Sequence, residues 1–181
     1  MKEDLKEILF SEEVLAAKIK ELANRISEDY KGKDLVVVGI LKGSVIFAAE
    51  LIKNITIPCE IDFMAVSSYG NSTETSGVVR ILKDLDHHIE HKHVLIVEDI
   101  VDTGVTLNYL LKYLKARKAA GIEIVSLLNK PARRKVELDV KYIGFEVPDA
   151  FIVGYGIDYA EKYRNLPCIG ILKPEIYEKQ K

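Results

Sequence analysis

Two continuous apolar runs constrain the fold of this chain more than any other feature of its sequence. Residues 35–41 read LVVVGIL and residues 93–97 read HVLIV, without regular alternation of apolar and polar positions. A strand with one face in water alternates, whereas a strand covered on both faces is apolar throughout. The runs therefore predict buried strands of a parallel sheet, and parallel strands need a long connection between them, usually a helix.

Segments with helical spacing alternate with strand-like segments along the chain. Ser11 stands where a helix cap is expected, and apolar residues recur every three or four positions from Leu15 to Ile26, which predicts a helix ending near Tyr30. SVIFAAELIKNI (44–55) and TLNYLLKYLKARKA (106–119) also have helical spacing, and Gly121 is the predicted stop of the second helix. IPCEIDFMAVSSY (57–69), IEIVSLL (122–128), VKYIGF (140–145) and FIVGYG (151–156) are strand-like. This order predicts an α/β fold with a central, mainly parallel sheet flanked by helices.

Composition narrows the class of protein. The 181 residues include 26 Lys and Arg and 28 Asp and Glu, a balance that disfavours nonspecific binding to nucleic acid or to a membrane surface. The length and the 48% hydrophobic content predict a single folded domain over residues 1–181. Cys59 and Cys168 have no CxxC or Cys/His ligand spacing, and the amino terminus lacks signal-peptide composition, so a cytoplasmic protein with free thiols is expected.

The segment VLIVEDIVDTGVT, residues 94–106, joins a buried strand to a helix start and carries three acids. Ligands of parallel sheets bind at such junctions, and amides at a helix start bind anions. Carboxylates repel an anion unless a cation or sugar hydroxyls lie between them, so a sugar phosphate with magnesium suits this segment. The segment has neither the GK[ST] of a P-loop nor GxGxxG. Two strand-end acids taken alone are equally compatible with solvated surface charges.

Residues 94–106 resemble the phosphoribosyl-pyrophosphate-binding motif of the type I phosphoribosyltransferases. LKGS, SSYG, NKPARR, PDAFIVGYGIDY and KYRNLP are similar to segments of the purine-salvage branch of that family and follow in the same order, so the resemblance covers nearly the whole chain. It implies the type I phosphoribosyltransferase fold, with a small hood formed by the chain-terminal segments and a mobile loop.

The resemblance also implies a reaction. A magnesium-dependent enzyme would transfer the 5-phosphoribosyl group from phosphoribosyl pyrophosphate to ring nitrogen 9 of hypoxanthine or guanine, giving IMP or GMP and pyrophosphate. Asp102 is the expected general base, placed near ring nitrogen 7 of the purine. Relatives are dimers or tetramers, so a homodimer or homotetramer without nucleic-acid or membrane partners is expected.

Roles on the phosphate side follow from the same resemblance. The phosphoribosyl group and its phosphate are assigned to Glu98, Asp99, Asp102, Thr103, Gly104, Val105 and Thr106. Magnesium is assigned to Glu98, Asp99 and Asp158, and pyrophosphate to Lys42, Gly43 and Arg164. Lys42 and Gly43 lie in the loop GILKGS, whose Leu41–Lys42 peptide is often cis in the family. Taken alone, that loop is an ordinary strand–helix turn with Ser44 as the helix cap.

Roles on the purine side are assigned to Lys130, Phe151, Ile152 and Asp158. Lys130 would donate to the exocyclic oxygen of a 6-oxopurine, Phe151 would stack on the base, and the backbone of Ile152 would meet it. Ser68 and Tyr69 open the polar segment GNSTETSG, which the resemblance identifies as a lid that closes over the reacting centre.

Several residues carry simpler interpretations. Arg133, Arg134 and Lys135 are expected mainly as a solvated basic patch, and the four histidines between residues 87 and 93 as part of a solvated connection rather than a metal site. Two other functions stay open: a regulator on the same fold that senses purine nucleotides, and a transferase that prefers xanthine.

Overall fold

A computed structural model describes residues 1–68 and 79–178 of the chain. Its strands are β1 (Leu5–Phe10), β2 (Leu35–Leu41), β3 (Glu60–Ser68), β4 (Val79–Lys83), β5 (His93–Val101), β6 (Gly121–Asn129), β7 (Tyr142–Glu146), β8 (Ile152–Val153) and β9 (Ile169–Leu172). Its α-helices are α1 (Glu12–Asp29), α2 (Val45–Asn54), α3 (Val105–Lys115) and α4 (Pro174–Tyr177), and 3₁₀ turns cover Lys2–Asp4 and Pro131–Arg133. None of the helices in these ranges has the length and apolar character needed to cross a membrane.

The larger sheet has six strands in the order β4-β3-β2-β5-β6-β7. The pairs from β3 to β7 are all parallel, and β4 at the edge is antiparallel to β3. Alternate residues of β2 pack on opposite faces: Val37 contributes to the core under α1 and α2, whereas Val36 and Val38 contribute to the core under α3. Both faces of the sheet are therefore covered, which confirms the predicted mainly parallel α/β fold.

Helix α1 begins and ends as its sequence predicts. The Ser11 hydroxyl caps the amino end by accepting a hydrogen bond from the Val14 N–H at 3.4 Å, and Tyr30 is the C-cap residue. The stripe that includes Leu15, Leu22 and Ile26 is fully buried against the sheet. Burial of this apolar face, more than helix propensity, holds the helix in place.

A second, smaller sheet of three antiparallel strands has the order β1-β9-β8. It joins the two chain-terminal segments, since Leu5 pairs with Leu172 and Phe10 with Ile169. Val153 of β8 is fully buried in the core of this sheet. The small sheet forms the part of the predicted hood that comes from the chain-terminal segments. The predicted mobile loop lies in residues 69–78, outside the described residues.

Two local predictions at helix ends are wrong. Gly121 is the first residue of β6 and does not stop α3, which ends at Lys115; Lys118 takes the left-handed conformation in the turn between them, with φ of 57°. Ser44 precedes α2 as predicted, but its hydroxyl donates to the Ile40 carbonyl at 2.7 Å and does not cap the helix. A hydroxyl bonded back to a preceding carbonyl cannot accept from the first amides of the helix.

Candidate active site

The phosphate loop, residues 102–106, connects β5 to α3 at the carboxyl edge of the large sheet. Gly104 has φ of 79°, a left-handed conformation that glycine adopts without steric cost, and it leads directly into the first turn of α3. A cavity of about 110 Å³ lies at this junction, with Glu98, Asp102, Thr103, Gly104 and Thr106 in its wall; we call it the phosphate cavity. Amides and the positive end of a helix dipole at such a cavity favour an anion.

Two acids of β5, Glu98 and Asp99, lie beside the phosphate loop, where burial disfavours their charged forms. Burial, with the nearby charge of Asp99, raises the pKa of Glu98 well above its ordinary value. Burial also raises the pKa of Asp99 to about 6, and hydrogen bonds from the Ile100 and Asp99 amides, followed by the charge of Arg164, limit the rise. Glu98 Oε2 is buried and accepts no hydrogen bond from any described residue. A cation would relieve both the burial cost and the repulsion.

These acids fit magnesium only in part. Carboxylate oxygens are the hard ligands that magnesium prefers, and the unpartnered Glu98 Oε2 offers one of them. Over residues 1–68 and 79–178, however, no group of three His, Cys, Asp or Glu side chains is arranged to hold a metal. Magnesium commonly binds through one or two carboxylates together with phosphate oxygens of a substrate, and the acids here suit that mode.

The loop of residues 39–44, which we call the diphosphate loop, packs directly on Asp99. The Leu41–Lys42 peptide is cis, as the family resemblance implies. Gly43 follows, and a Cβ at Gly43 would lie 1.8 Å from Asp99 Oδ2, so position 43 has no room for a side chain. Gly156, with φ of 102°, packs closely on the Gly43 carbonyl, because a Cβ at Gly156 would lie 2.0 Å from its oxygen.

Arg164 joins the diphosphate loop to the segment after β8. Its Nη1 donates to the Gly156 carbonyl at 2.8 Å, and its Nη2 lies 2.9 Å from Asp158 Oδ1. Glu161 bridges the two cations, with Oε2 at 2.9 Å from Lys42 Nζ and Oε1 at 3.5 Å from Arg164 Nη2. Lys42 donates a hydrogen bond that lowers the pKa of Glu161. Lys42, Asp158 and Arg164, which the sequence assigns separately, thus meet around Glu161.

A second cavity, of about 380 Å³, lies beside the phosphate loop, and we call it the purine cavity. Lys130, Phe151 and Ile152, which the resemblance assigns to the purine, line it, and Asp102 lies in its wall as well as in that of the phosphate cavity. The described residues lining the purine cavity do not include Asp158, which instead contacts Arg164. Asp102 is therefore the acid placed between the two cavities.

The purine cavity has one cationic wall and one aromatic wall. Lys130 is only 5% exposed, and its Nζ donates to the Ala150 carbonyl at 2.9 Å. Phe151 remains 38% exposed and stacks on Tyr177 with ring centroids 4.8 Å apart. A flat, partly exposed aromatic ring beside a buried ammonium group matches the face and the polar edge of a heteroaromatic base.

Asp102 has one free and one paired carboxylate oxygen. Its Oδ1 is buried, and the part of the chain that the structure describes offers it no hydrogen-bond partner. Its Oδ2 lies 3.5 Å from Arg133 Nη1, and Arg133 also reaches Asp149 at 3.7 Å. A carboxylate in the wall of a cavity can accept a proton from a molecule bound there.

Other assigned residues lie at the margin of the site or beyond the described residues. Val105 is the first residue of α3, and its N–H donates to Thr103 Oγ1 at 3.4 Å. Ser68 ends β3, and Tyr69 lies outside the described residues, so the lid stays a prediction. His87, His88 and His91 are exposed.

Sequence reasoning missed three contributors to the site. Glu161 and Tyr177 reach it only through the tertiary fold, and no local pattern marks either residue. Arg134 is half-buried and donates to Asn129 Oδ1 at 2.5 Å, so the interpretation as a solvated patch is wrong for Arg134, whereas Arg133 and Lys135 are exposed. The strand end and proline turn of NKPARR would have suggested that this segment folds back toward the loop after β5.

Comparison with known proteins accounts for these features together. The phosphoribosyl transferase domain matches residues 7–160. Hypoxanthine-guanine phosphoribosyltransferase of Bacillus subtilis (strain 168) is 53% identical over 178 residues, covering 98% of this chain and 99% of the relative. The enzyme of that name from Staphylococcus aureus (strain Mu50) is 54% identical over 177 residues, with 98% and 99% covered. A crystal structure of a hypoxanthine phosphoribosyltransferase from Staphylococcus aureus superposes with a TM-score of 0.95 and 54% identity over 98% of this chain and 96% of that one. The chain therefore belongs to the phosphoribosyl transferase domain family and, within it, to the hypoxanthine-guanine phosphoribosyltransferases.

Proposed function

We propose that this phosphoribosyltransferase moves the 5-phosphoribosyl group of phosphoribosyl pyrophosphate to ring nitrogen 9 of hypoxanthine or guanine. IMP or GMP and pyrophosphate are the products. One observation carries the assignment of the site: Asp102 lies in the wall of both the phosphate cavity and the purine cavity. A sugar anchored in the first cavity and a base held in the second would meet beside this carboxylate.

The phosphate cavity suits the 5-phosphate of the sugar. Its wall contains Thr103, Gly104 and Thr106, with α3 beginning at Val105, the residue after Gly104. Threonine hydroxyls and main-chain amides can donate hydrogen bonds to a phosphate. Glu98 in the same wall would accept hydrogen bonds from ribose hydroxyls.

The diphosphate loop and Arg164 suit the pyrophosphate. Lys42 and Arg164 supply two cations, and Gly43 leaves its backbone uncovered by any side chain. Glu98 and Asp99, with Asp158 through water, would hold a magnesium ion. When bound, this ion would neutralise charge on the departing pyrophosphate. Lys42 and Arg164 would turn from Glu161 toward the pyrophosphate oxygens as they bind them.

The purine cavity suits a 6-oxopurine. Phe151 offers a stacking face, the backbone of Ile152 offers hydrogen bonds to the base edge, and Lys130 offers a donor at the exocyclic oxygen. An ammonium group donates and cannot accept, so it favours the oxygen of hypoxanthine or guanine over the amino group of adenine. The Asp102 carboxylate would take or share the proton of ring nitrogen 7 while ring nitrogen 9 attacks the sugar.

Rates with four bases test this function. Pyrophosphate release would be followed with hypoxanthine, guanine, xanthine and adenine, each with and without magnesium. We expect turnover with hypoxanthine and guanine that requires magnesium, and little turnover with adenine. Binding of purine nucleotides without any turnover would indicate the regulator, and the highest rate with xanthine would indicate the third function left open by the sequence.

We also propose that the chain works as one domain in a cytoplasmic homodimer or homotetramer, without nucleic-acid or membrane partners. The near balance of charge and the free Cys59 and Cys168 support this setting. Ile152 of the hood and Ile100 of the large sheet line the same cavity, which supports a single working unit. Light scattering during size-exclusion chromatography would give the number of subunits.

A further inference from the structure

Three consecutive carbonyl groups, those of residues 101–103 at the start of the phosphate loop, accept hydrogen bonds from the segment of residues 130–135. The Lys130 N–H donates to the Val101 carbonyl at 2.9 Å, and the Lys135 N–H donates to the Thr103 carbonyl at 3.0 Å. The carbonyl between them, that of Asp102, accepts from Arg134 Nε at 3.2 Å. Two of the three hydrogen bonds come from the main chain, so only the middle one depends on a particular side chain.

These hydrogen bonds fix the direction of the loop amides. In a planar trans peptide the C=O and the following N–H point in opposite directions. Carbonyls of Val101, Asp102 and Thr103 that face the segment 130–135 therefore turn the amides of residues 102–104 away from it. The same three residues, 102–104, form part of the wall of the phosphate cavity.

Arg134 is itself held in a single orientation. Its Nη2 donates to Asn129 Oδ1 at 2.5 Å, and Asn129 is buried at the end of β6 with its carbonyl accepting from the Val147 N–H at 2.9 Å. The stem of Arg134 packs against Gly104, because a Cβ there would lie 3.2 Å from Arg134 Cδ. The described residues that line the phosphate and purine cavities do not include Arg134, so the side chain acts through the loop.

We propose that Arg134 is a positioning residue for the phosphoribosyl substrate. Its guanidinium joins Asn129 at the end of β6 to the Asp102 carbonyl at the end of β5, and so fixes the peptide between Asp102 and Thr103. A lysine replaces the planar, two-nitrogen fork of arginine by a single terminal nitrogen and so does not reproduce this pair of hydrogen bonds. The inference rests on the proposed function, since the substrate it concerns is phosphoribosyl pyrophosphate.

Two variants test the role of the guanidinium. Arg134→Lys keeps the charge and loses the two-pronged hydrogen bonding, whereas Arg134→Met keeps only the apolar stem. We expect both to raise the KM for phosphoribosyl pyrophosphate about tenfold or more, as loss of a charge-assisted hydrogen bond predicts. The KM for hypoxanthine should stay within about twofold, because Lys130 keeps its contacts in both variants. Binding of IMP, measured by calorimetry, should weaken in parallel.

The control is Arg25→Lys, the same exchange at an exposed position of α1. A normal KM for phosphoribosyl pyrophosphate in Arg134→Lys would overturn the proposal, whether or not Arg134→Met is impaired, because charge or bulk would then suffice. Equal increases in both KM values together with a lower Tm would also overturn it, since that pattern indicates a merely structural role. Failure of the wild type and of Arg25→Lys to release pyrophosphate would refute the proposed function instead.

Discussion

The carboxylate of Asp99 occupies the space that a side chain at Gly43 would need: a Cβ at position 43 would lie 1.8 Å from Asp99 Oδ2. Gly156 also approaches this residue, since its own Cβ would lie 2.0 Å from the Gly43 carbonyl. The diphosphate loop thus packs against both an acid of the large sheet and the segment that leads to Arg164. A Cβ added at position 43 must displace the Asp99 carboxylate.

Gly43→Ala should therefore damage both stability and catalysis. Overpacking typically costs about 1–3 kcal/mol in the free energy of unfolding. We expect kcat/KM for phosphoribosyl pyrophosphate to fall at least about tenfold, because displacement of a binding group by about 1 Å can cost up to a hundredfold. Urea unfolding and steady-state kinetics measure the two effects.

Gly32→Ala is the control: Gly32 has φ of 75° and open space around it, so the change should lower stability and leave kinetics unaltered. Equal kinetics in the two variants would contradict the packing argument.

Asp102→Asn should lower kcat by about 10²- to 10⁴-fold, the usual contribution of a general base. The amide keeps the shape of the side chain but cannot take a proton, so binding of IMP should persist. Single-turnover kinetics and calorimetry would separate chemistry from binding. Asp139→Asn, at an exposed residue, is the matched control. Turnover close to that of the wild type, with chemistry shown to be rate-limiting, would remove Asp102 from the role of base.

Lys130→Met should act on the purine and spare the sugar phosphate. A hydrogen bond to a charged group is worth about 1.5–3 kcal/mol, so kcat/KM for hypoxanthine and guanine should fall roughly 10- to 150-fold. The KM for phosphoribosyl pyrophosphate should change little, because the Lys130 main chain still holds the Val101 carbonyl. Lys20→Met on the exposed face of α1 is the control. Similar losses for both substrates would show that Lys130 supports the site in general and does not select the base.

The stability of the chain should depend on the ionisation of Asp29. The buried Tyr142 hydroxyl donates to Asp29 Oδ2 at 2.6 Å, and this hydrogen bond lowers the pKa of Asp29 below its ordinary value of 3.8. A carboxyl whose pKa is lowered by folding stabilises the fold above that ordinary value and loses the contribution as the pH falls through the folded pKa.

Tyr142→Phe removes the largest cause of the lowered Asp29 pKa and so weakens this dependence of stability on pH. At pH 7 the variant should be less stable than the wild type by about 1 kcal/mol, a small value because Asp29 is largely solvated. The difference should shrink as the pH falls below about 3.8, the ordinary pKa of Asp29. Urea unfolding at pH 7 and at lower pH measures it. A difference that widens under acid would rule out the ionised Asp29 as its source.

The sequence predicts the large sheet much better than the hood. Leu35–Leu41 is apolar enough to identify its own strand, whereas β1, Leu5–Phe10, contains charged residues and has no strand pattern of its own. It becomes a strand because Ile169–Leu172 pairs with it from the other end of the chain. Local patterns cannot show a pairing between segments so far apart in sequence.

The same limit applies to the site. Residues 102–106 form one contiguous segment, so the sequence predicts them as one site. A strand end followed by a helix start brings adjacent residues into one cavity. Tyr177 stacks on Phe151, and Glu161 bridges Lys42 and Arg164, only after distant segments have folded together. An acid or a tyrosine near the carboxyl terminus has no spacing that would distinguish it from a surface residue.

The pairing of β1 with β9 also sets an order in which the two halves of the site can form during synthesis. Every strand beside the phosphate loop, and the segment that holds the loop from behind, lies between residues 35 and 135. The purine cavity includes Ile152 of β8, whose strand partner β9 is translated only at residues 169–172. The ribosome therefore completes the residues of the phosphate pocket well before those of the base pocket, which closes when the earliest strand meets one of the last.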